Sequence, residues 1–159
     1  MDYTVRKAKE EDIDAVIDLA AEMVVRSLSP FRDIPAEQVK QFRKNDLAVL
    51  KNSAGYSNVG IFIAEDEKGQ LMGHVIVVSG DIETSTGERQ GWVFDLSVKD
   101  QFQKKGVGTR LMDEAERFVR AQGLRYLGMG VTTSNKNAVL FYEHLGYAEE
   151  RKRMIKKLT

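Results

Sequence analysis

The chain has 159 residues, of which 42% are hydrophobic and 30% charged, and this suits one globular domain (residues 1–159) rather than a disordered or collagen-like protein. Its 24 basic and 24 acidic residues cancel, which argues against nucleic acid as the main partner, and the absence of cysteine excludes disulfide scaffolds, thiolate metal sites and a cysteine nucleophile. No apolar run approaches the roughly 20 residues of a membrane span and the first residues carry no secretory signal, so we expect a soluble, cytoplasmic protein without a membrane partner.

The first half of the sequence predicts one strand, two helices and a hairpin. A short strand is expected at residues 4–8, and apolar residues at helical spacing follow from residue 11 until Pro30 stops the helix. A second helix is expected at residues 35–50. Its inward-facing residues are predicted to be Val39, Phe42 and Leu47. Two strands at residues 59–65 and 70–79 flank a polar turn and form a hairpin.

The second half alternates strand and helix patterns after a polar stretch. Residues 80–90 show no hydrophobic period and are expected to form an exposed loop. The elements expected after it are a strand at 91–98, a helix at 106–123, a strand at 124–133, a short helix at 135–145 and a final strand at 147–157. This order indicates an α/β layer structure, in which helices cover a mixed sheet.

The segment between the strand at 91–98 and the helix at 106–123 has the character of an anion-binding loop. Gly106 and Gly108 open a strong helix, whose first turn leaves backbone N–H groups without partners and carries the positive end of the helix dipole. Glycine lets an anion approach the main chain, and Lys104, Lys105 and Arg110 add positive charge to an otherwise neutral chain. We therefore expect this glycine loop, residues 103–109, to hold a pyrophosphate, although a tight turn alone would also use two glycines.

Two of the known glycine motifs do not fit the loop. A P-loop requires Lys and then Ser or Thr directly after its second glycine, but Gly108 is followed by Thr109 and Arg110. A dinucleotide-binding fingerprint requires a third glycine where the chain has Leu111, and an acidic residue about 20 positions later, which is missing. The run Gln103-Lys104-Lys105-Gly106-Val107-Gly108 instead resembles the Gln/Arg-x-x-Gly-x-Gly/Ala signature of the GNAT superfamily of N-acetyltransferases.

A second motif follows the glycine loop. The segment from Asn135 to Tyr147 resembles the family pattern Asn-x-x-Ala-x-x-Phe/Leu-Tyr-x-x-x-Gly-Phe/Tyr. On a helix Asn135, Ala138 and Tyr142 share one face, because they are spaced 3 and 4 residues apart. An amphipathic helix with aromatic residues in the core would give a similar pattern, but the two motifs agree in order and separation. With the order of elements, the resemblance covers nearly the whole chain.

The resemblance implies a fold, a cosubstrate and a set of binding residues. The fold is a mixed, mostly antiparallel sheet of six to seven strands flanked by about four helices, with splayed fourth and fifth strands. The cosubstrate is acetyl-CoA, whose pantetheine arm lies between the splayed strands and whose pyrophosphate meets the glycine loop; no metal is expected. The residues implied to bind it are Leu96, Ser97, Val98, Gln103, Lys104, Lys105, Gly106, Val107, Gly108, Thr109, Asn135 and Ala138.

The implied reaction is acetyl transfer to a primary amine (a protein N-terminus, a lysine or a small molecule) by direct attack in a ternary complex. Tyr142 is the candidate acid for the departing thiolate, and the backbone N–H of Val98 is the candidate oxyanion donor. Asp95 is the candidate base, because a lone carboxylate in an apolar strand needs a purpose or a partner; pairing with a basic side chain is the alternative. Strand alternation places Asp95 and Ser97 on one face with Val93, unless a bulge intervenes.

Three questions stay open at the level of the sequence. The acceptor is expected to be selected by residues 26–35 and 80–90, but their mixed charge points to no class of amine. A non-catalytic acyl-CoA-binding or sensing module would keep the glycine loop and could dispense with Tyr142, and a pure scaffold would need neither. The oligomeric state, including a homodimer, is also left open.

Overall fold

Five strands and five helices are the regular elements of the structure, a computed structural model that describes residues 1–159. The strands are β1 (Tyr3–Lys7), β2 (Val59–Asp66), β3 (Leu71–Ile82), β4 (Arg89–Val98) and β5 (Leu127–Gly128). The helices are α1 (Ile13–Met23), α2 (Ala36–Leu47), α3 (Leu50–Ser53), α4 (Val107–Ala121) and α5 (Lys136–His144). The predicted α/β fold with a mixed sheet is confirmed, but the sheet has five strands rather than six to seven.

The sheet places its strands in the order β1-β2-β3-β4-β5. Antiparallel ladders join the first four strands, whereas β4 and β5 run parallel. The parallel pairing comprises only Gly91 with Leu127 and Trp92 with Gly128. β4 continues to Val98 without β5 beside it, so the two strands splay apart and leave one backbone edge of β4 free.

Each face of the sheet carries its own hydrophobic core. The residues of α1 that pack on one face are Ile13, Val16, Ile17 and Ala20. The residues of α4 that pack on the other face are Val107, Leu111, Met112, Ala115 and Val119. Because helices cover both faces, β2 and β3 are almost continuously apolar instead of alternating. No helix combines the length and the apolar character that crossing a membrane requires.

A bulge in β4 changes the face on which its side chains lie. The pairing of β4 with β3 skips one residue, Phe94. Val93 belongs to the core beneath α4, and Leu96, three positions later, packs against the same core. The prediction that Val93 shares a face with Asp95 and Ser97 is therefore wrong, because the extra residue reverses the alternation.

The inward face of helix α2 carries a residue that the hydrophobic pattern did not predict. Leu47 is buried and Val39 half-buried, as expected, but Phe42 is 69% exposed. Arg43 is four residues from both Val39 and Leu47, so it lies on the inward face of the helix between them, and it is half-buried. Its guanidinium finds polar partners on β4, which an apolar side chain would have left unsatisfied.

The predicted loop at residues 80–90 is shorter than expected, because strands take up both of its ends. β3 extends to Ile82 and β4 begins at Arg89, so that only residues 83–88 form the turn. The Glu83 carboxylate accepts hydrogen bonds from the N–H groups of Ser85 (2.9 Å) and Thr86 (2.8 Å). This turn is built from polar contacts, so a hydrophobic period could not predict the strands that flank it.

The last two predicted strands are mostly absent. Of residues 124–133 only Leu127–Gly128 pairs with the sheet, and residues 148–159 are exposed and without regular structure. Most side chains of the terminal segment are charged, so pairing it to the sheet would bury little apolar surface. Arg151 Nη2 instead contacts Glu83 Oε1 at 2.8 Å, which holds the segment against the 83–88 turn.

Close packing of α4 on β4 predicts a steric effect at Gly91. A Cβ atom there would lie 2.3 Å from Val119 Cγ2, so Gly91→Ala should lower the free energy of unfolding by about 1–3 kcal/mol. Adding Val119→Ala removes the clash, so the double variant should lose less than the sum of the two single losses in urea unfolding. Gly55→Ala is the control, because nothing lies within 4 Å of a Cβ there. Additive losses at the two positions would contradict the packing described.

Candidate active site

The glycine loop is fastened to the end of β4. A single 3-10 turn, Asp100–Phe102, connects the strand to the loop. The side-chain amide of Gln103 donates to the carbonyl oxygen of Val98 at 3.0 Å and to Asp100 Oδ1 at 3.3 Å. The loop therefore begins where the free edge of β4 ends, and the two form one continuous surface.

The backbone of the loop directs amides outward at the start of α4. Lys104 has φ +59° and Gly106 has φ +81°, so both lie in the left-handed region, where glycine is favoured. The first helical bond runs from the N–H of Arg110 to the oxygen of Gly106 at 3.1 Å, and the amides of the first three helical residues have no intrahelical partner. No acidic residue lies in the first turn to neutralise the dipole. The ligand that such a helix end binds best is an anion.

The side chains of the loop divide into exposed and packed ones. Lys104, Lys105, Thr109 and Arg110 are the exposed ones, and three of them are cationic. Val107 is buried in the core beneath α4, so only its backbone faces outward. A Cβ at Gly108 would lie 3.2 Å from the ring of Phe141, so glycine there lets α4 approach α5 closely. The two glycines thus differ in role: Gly106 permits the backbone turn and Gly108 permits the packing.

The free edge of β4 offers two further amides. The N–H of Lys99 bonds to a carbonyl of β3 at 2.9 Å. N–H groups alternate sides along a strand, so those of Leu96 and Val98 point away from β3, toward the gap from which β5 has diverged. Before the bulge the N–H of Gly91 points to the β5 side, where it bonds to Tyr126 O at 2.9 Å. The bulge is therefore the reason why, in the second half of β4, the N–H groups of even-numbered residues face the gap.

Helix α5 and the turn before it line the other side of the gap. Asn135 caps the helix, because its Oδ1 accepts a hydrogen bond from the N–H of Ala138 at 3.3 Å. Thr132 Oγ1 donates to the carbonyl oxygen of Ser27 at 2.6 Å, which joins this turn to the segment between α1 and α2. Arg26 in the same segment pairs with Asp100 beside the glycine loop. The segment expected to select the acceptor is thus attached to both sides of the gap.

Tyr142 lies in the last turn of α5, and its ring packs between two aromatic neighbours. The ring centroids of Phe141 and Tyr147 lie 5.2 and 6.0 Å away in edge-on arrangements. Burial, and to a smaller extent the negative charge of Asp95, raises the pKa of Tyr142 to about 12. The phenol is therefore protonated at neutral pH and available as a hydrogen-bond donor.

Asp95 belongs to a charged cluster on the face of the sheet that α2 covers. Its Oδ1 accepts a hydrogen bond from Arg43 Nη2 at 2.8 Å, and its Oδ2 lies 2.6 Å from His74 Nε2 and 2.8 Å from Ser97 Oγ. Burial raises the pKa of the Asp95 carboxyl, but the hydrogen bonds and charges of His74 and Arg43 outweigh it and hold the pKa below its usual range. Both oxygens are engaged, which favours the structural pairing over a role as free base.

The family follows from comparison with known proteins. The model of the Acetyltransferase (GNAT) family matches residues 7–147. The chain belongs to this family. An uncharacterized N-acetyltransferase of Methanocaldococcus jannaschii is 24% identical over 161 residues, which cover 98% of this chain and 67% of that protein. The GNAT chain is accordingly an acyltransferase, and the resemblance on which the sequence prediction depended is confirmed.

Two solved structures share the fold of the GNAT chain. A protein of Pyrococcus furiosus named as an acetyl transferase gives a TM-score of 0.81 at 22% identity, covering 99% of this chain and 100% of that one. An acetyltransferase of Clostridium acetobutylicum with acetyl-CoA gives a TM-score of 0.70 at 14% identity, covering 99% and 97%. These likenesses show the fold, and the family membership carries the activity class.

Two residues of the charged cluster were not singled out from the sequence of the GNAT chain. His74 lies in an apolar run of β3, where the sequence gives no sign of a charged partner, and it is fully buried. Arg43 was not named, although a basic partner for Asp95 was one of the two alternatives. The available signal was its spacing of four residues from both Val39 and Leu47, which places a guanidinium on the inward face of α2.

The raised pKa of Tyr142 predicts a loss of stability in alkali. The folded GNAT chain holds the phenolic proton more tightly than the unfolded chain, so Tyr142 contributes about 2–3 kcal/mol below pH 10, which is lost as the pH rises from 10 to about 12. Urea unfolding at pH 9 and pH 11.5 should show a smaller alkaline loss in Tyr142→Phe than in the wild type. The exposed Tyr56→Phe should behave as the wild type. Equal losses in both variants would show that Tyr142 is not perturbed.

Proposed function

We propose that the chain transfers the acetyl group of acetyl-CoA to a primary amine by direct attack in a ternary complex. One observation carries the proposal: the free amide edge of β4 leads, through a single turn, to the uncapped N-terminus of α4. A pantetheine arm has amides that can pair with a strand edge, and a pyrophosphate suits a helix N-terminus. The spacing of these two features in one cleft supports a ligand that has both groups.

The cosubstrate is held mainly by the backbone. The amides of the glycine loop would bind the pyrophosphate, with Lys104, Lys105 and Arg110 supplying the charge. Leu96 and Val98 would pair with the pantetheine arm through their N–H groups, whereas the Ser97 side chain is directed to the charged cluster. This narrows the sequence prediction, which counted Ser97 among the pairing residues.

Asn135 and Ala138 would contact the cosubstrate from α5. The Oδ1 of Asn135 is engaged in capping the helix, so the contact left to this side chain is donation from Nδ2. Ala138 offers a small side chain on the face of α5 that also carries Tyr142, which permits close approach of the pantetheine arm.

The transfer requires a neutral amine, an oxyanion site and a protonated leaving group. The amine nitrogen attacks the thioester carbon, the carbon–sulfur bond breaks, and the proton lost by nitrogen ends on sulfur. The N–H of Val98 would donate to the oxyanion. Tyr142 would donate its proton to the sulfur of the departing thiolate and recover a proton from the nitrogen. A phenol of pKa about 12 is a weaker acid than a thiol of about 8.5, so the donation depends on this recovery and the phenolate does not accumulate.

The engaged state of Asp95 bears on the choice of amine. An α-amino group has a pKa of about 7.7–8.0 and is substantially neutral at pH 7 to 8, whereas a lysine amine of about 10.4 needs a strong base. A carboxylate whose two oxygens are both hydrogen-bonded is poorly placed to supply that base. We therefore infer that amines of low pKa, such as peptide N-termini, suit this site better than lysine side chains.

The binding part of the proposal predicts that a new carboxylate weakens coenzyme A binding at the N-terminal end of α4 but not at the C-terminal end. Gly106→Glu places a carboxylate beside the pyrophosphate, so the Kd for coenzyme A should rise at least about tenfold, or about 1.4 kcal/mol. Gly123→Glu is the matched control, because Gly123 also has positive φ (+76°) but lies beyond the C-terminus of the same helix. Calorimetry should give the control a Kd near that of the wild type. Equal Kd values for the two variants would place the pyrophosphate elsewhere.

The catalytic part is tested by thiol release from acetyl-CoA across a panel of peptides and amines. Tyr142→Phe should lower kcat by about 10²–10⁴-fold while the Kd for coenzyme A stays within twofold, because only proton donation is removed. Peptide N-termini should be acetylated at pH 7.5 in preference to lysine. Coenzyme A binding without turnover of any amine would favour the non-catalytic sensing module, and no binding at all would leave only a scaffold.

A further inference from the structure

We propose that Arg43 is a positioning residue for acetyl-CoA, which holds the bulge of β4 from helix α2 and so fixes which amides of the strand face the cosubstrate. The proposal rests on the function proposed above and deepens it, since it assigns the register of the binding strand to one side chain. Arg43 itself lies on the face of the sheet that α2 covers, not in the gap between β4 and β5. It therefore acts on the cosubstrate only through the backbone of β4.

Three groups at the bulge are in contact with this guanidinium. Nη2 donates to the carbonyl oxygen of Phe94 at 3.0 Å and to Asp95 Oδ1 at 2.8 Å. The guanidinium carbon lies 5.1 Å from the centroid of the Phe94 ring. Nη1 donates to Asp46 Oδ2 at 3.3 Å, which holds Arg43 on its own helix. One side chain thus contacts the backbone, the ring and the following carboxylate of the unpaired residue.

These contacts matter because Phe94 is skipped by the ladder between β3 and β4. A bulged residue loses ladder hydrogen bonds, and the Phe94 carbonyl finds its partner in Arg43 instead. A strand that loses its bulge presents the alternate set of amides beyond that point. In β4 that change would turn Leu96 and Val98 toward β3 and present Ser97 to the cleft.

The cluster is poorly suited to stability alone. The side chains of Arg43 and Asp95 are 17% and 11% exposed, and His74 is fully buried. Arg43 Nε and His74 Nδ1 are buried without a hydrogen-bond partner. Buried ion pairs are often no more stabilising than apolar side chains of the same volume, and an unpaired buried polar atom makes them less so. A geometric role, the fixing of one strand register, accounts for the charges that stability does not.

A fork of donors is required, not merely a positive charge. Arginine presents several N–H groups in a rigid plane, so one guanidinium can bind the Phe94 carbonyl, Asp95 and Asp46 at the same time. A lysine ammonium is a single point on a flexible stem and cannot reproduce this arrangement. Arg43→Lys therefore keeps the charge beside Asp95 and removes the hold on the bulge.

The test compares two ligands that share one end. Acetyl-CoA needs both the strand edge and the glycine loop, whereas 3′-phospho-ADP, the fragment without pantetheine, needs the glycine loop alone. For Arg43→Lys we expect the Kd for acetyl-CoA to rise at least about tenfold while that for 3′-phospho-ADP stays within twofold. Lys44→Met, which removes a charge from the next position of α2, should change neither. Hydrogen exchange should show faster exchange at residues 93–97 in Arg43→Lys only.

The outcomes separate this proposal from the function on which it rests. If the wild type binds neither ligand, the proposed function fails. If it binds both, and Arg43→Lys weakens both equally or neither, the function stands and the positioning role of Arg43 is overturned. Should Arg43→Lys not fold, Arg43→Met with Asp95→Asn removes both charges together while the Asn keeps hydrogen bonds to His74 and Ser97. The same selective loss of acetyl-CoA affinity is expected from this double variant.

Discussion

The structure depends on a strand that lies in the middle of a sheet and yet has one unpaired backbone edge. β4 pairs with β3 along its length, but β5 accompanies it only at Gly91 and Trp92. A backbone edge that lacks a strand must find other hydrogen-bond partners, from water or from a ligand. Because the core beneath α4 and the ladder with β3 fix the position of β4, the gap cannot close by movement of the strand. The unpaired edge is therefore a permanent feature to which a ligand with amide groups can bind.

Charge is distributed unevenly around the cleft, so that one part is positive, one is negative and one is neutral. The chain is neutral overall, but the N-terminus of α4 joins helix-dipole charge to three exposed cations without an acidic residue in its first turn. On the other face of the sheet, Asp95 is surrounded by donors and keeps its charge. Burial, and to a smaller extent that charge, raises the pKa of Tyr142. Local surroundings, and not the net charge of the chain, thus determine where an anion can bind, which carboxylate stays ionised and which phenol stays neutral.

The sequence predicts this site well wherever a local pattern determines the structure. Gly106 is required by a left-handed backbone and α4 by its apolar period, so the loop and helix follow from short-range rules. The bulge at Phe94 has no such signal, since it is fixed by Arg43, 51 residues away in sequence. The prediction that Phe42 faces inward is wrong for a related reason. A hydrophobic pattern places an apolar residue in the core in preference to an arginine, unless the distant partner of the arginine is known. The last predicted strand, at residues 147–157, is missing because it has too little apolar surface to bury.

The central claim is that a single ligand spans the free edge of β4 and the N-terminus of α4. A crystal structure with acetyl-CoA tests it most directly. The account predicts the pyrophosphate within hydrogen-bond distance of the amides at residues 107–109, and pantetheine amide groups paired with Leu96 and Val98 across the gap to β5. A complex in which the pantetheine arm pairs with Ser97 would contradict the role of the bulge. A nucleotide bound away from the glycine loop would contradict the whole assignment.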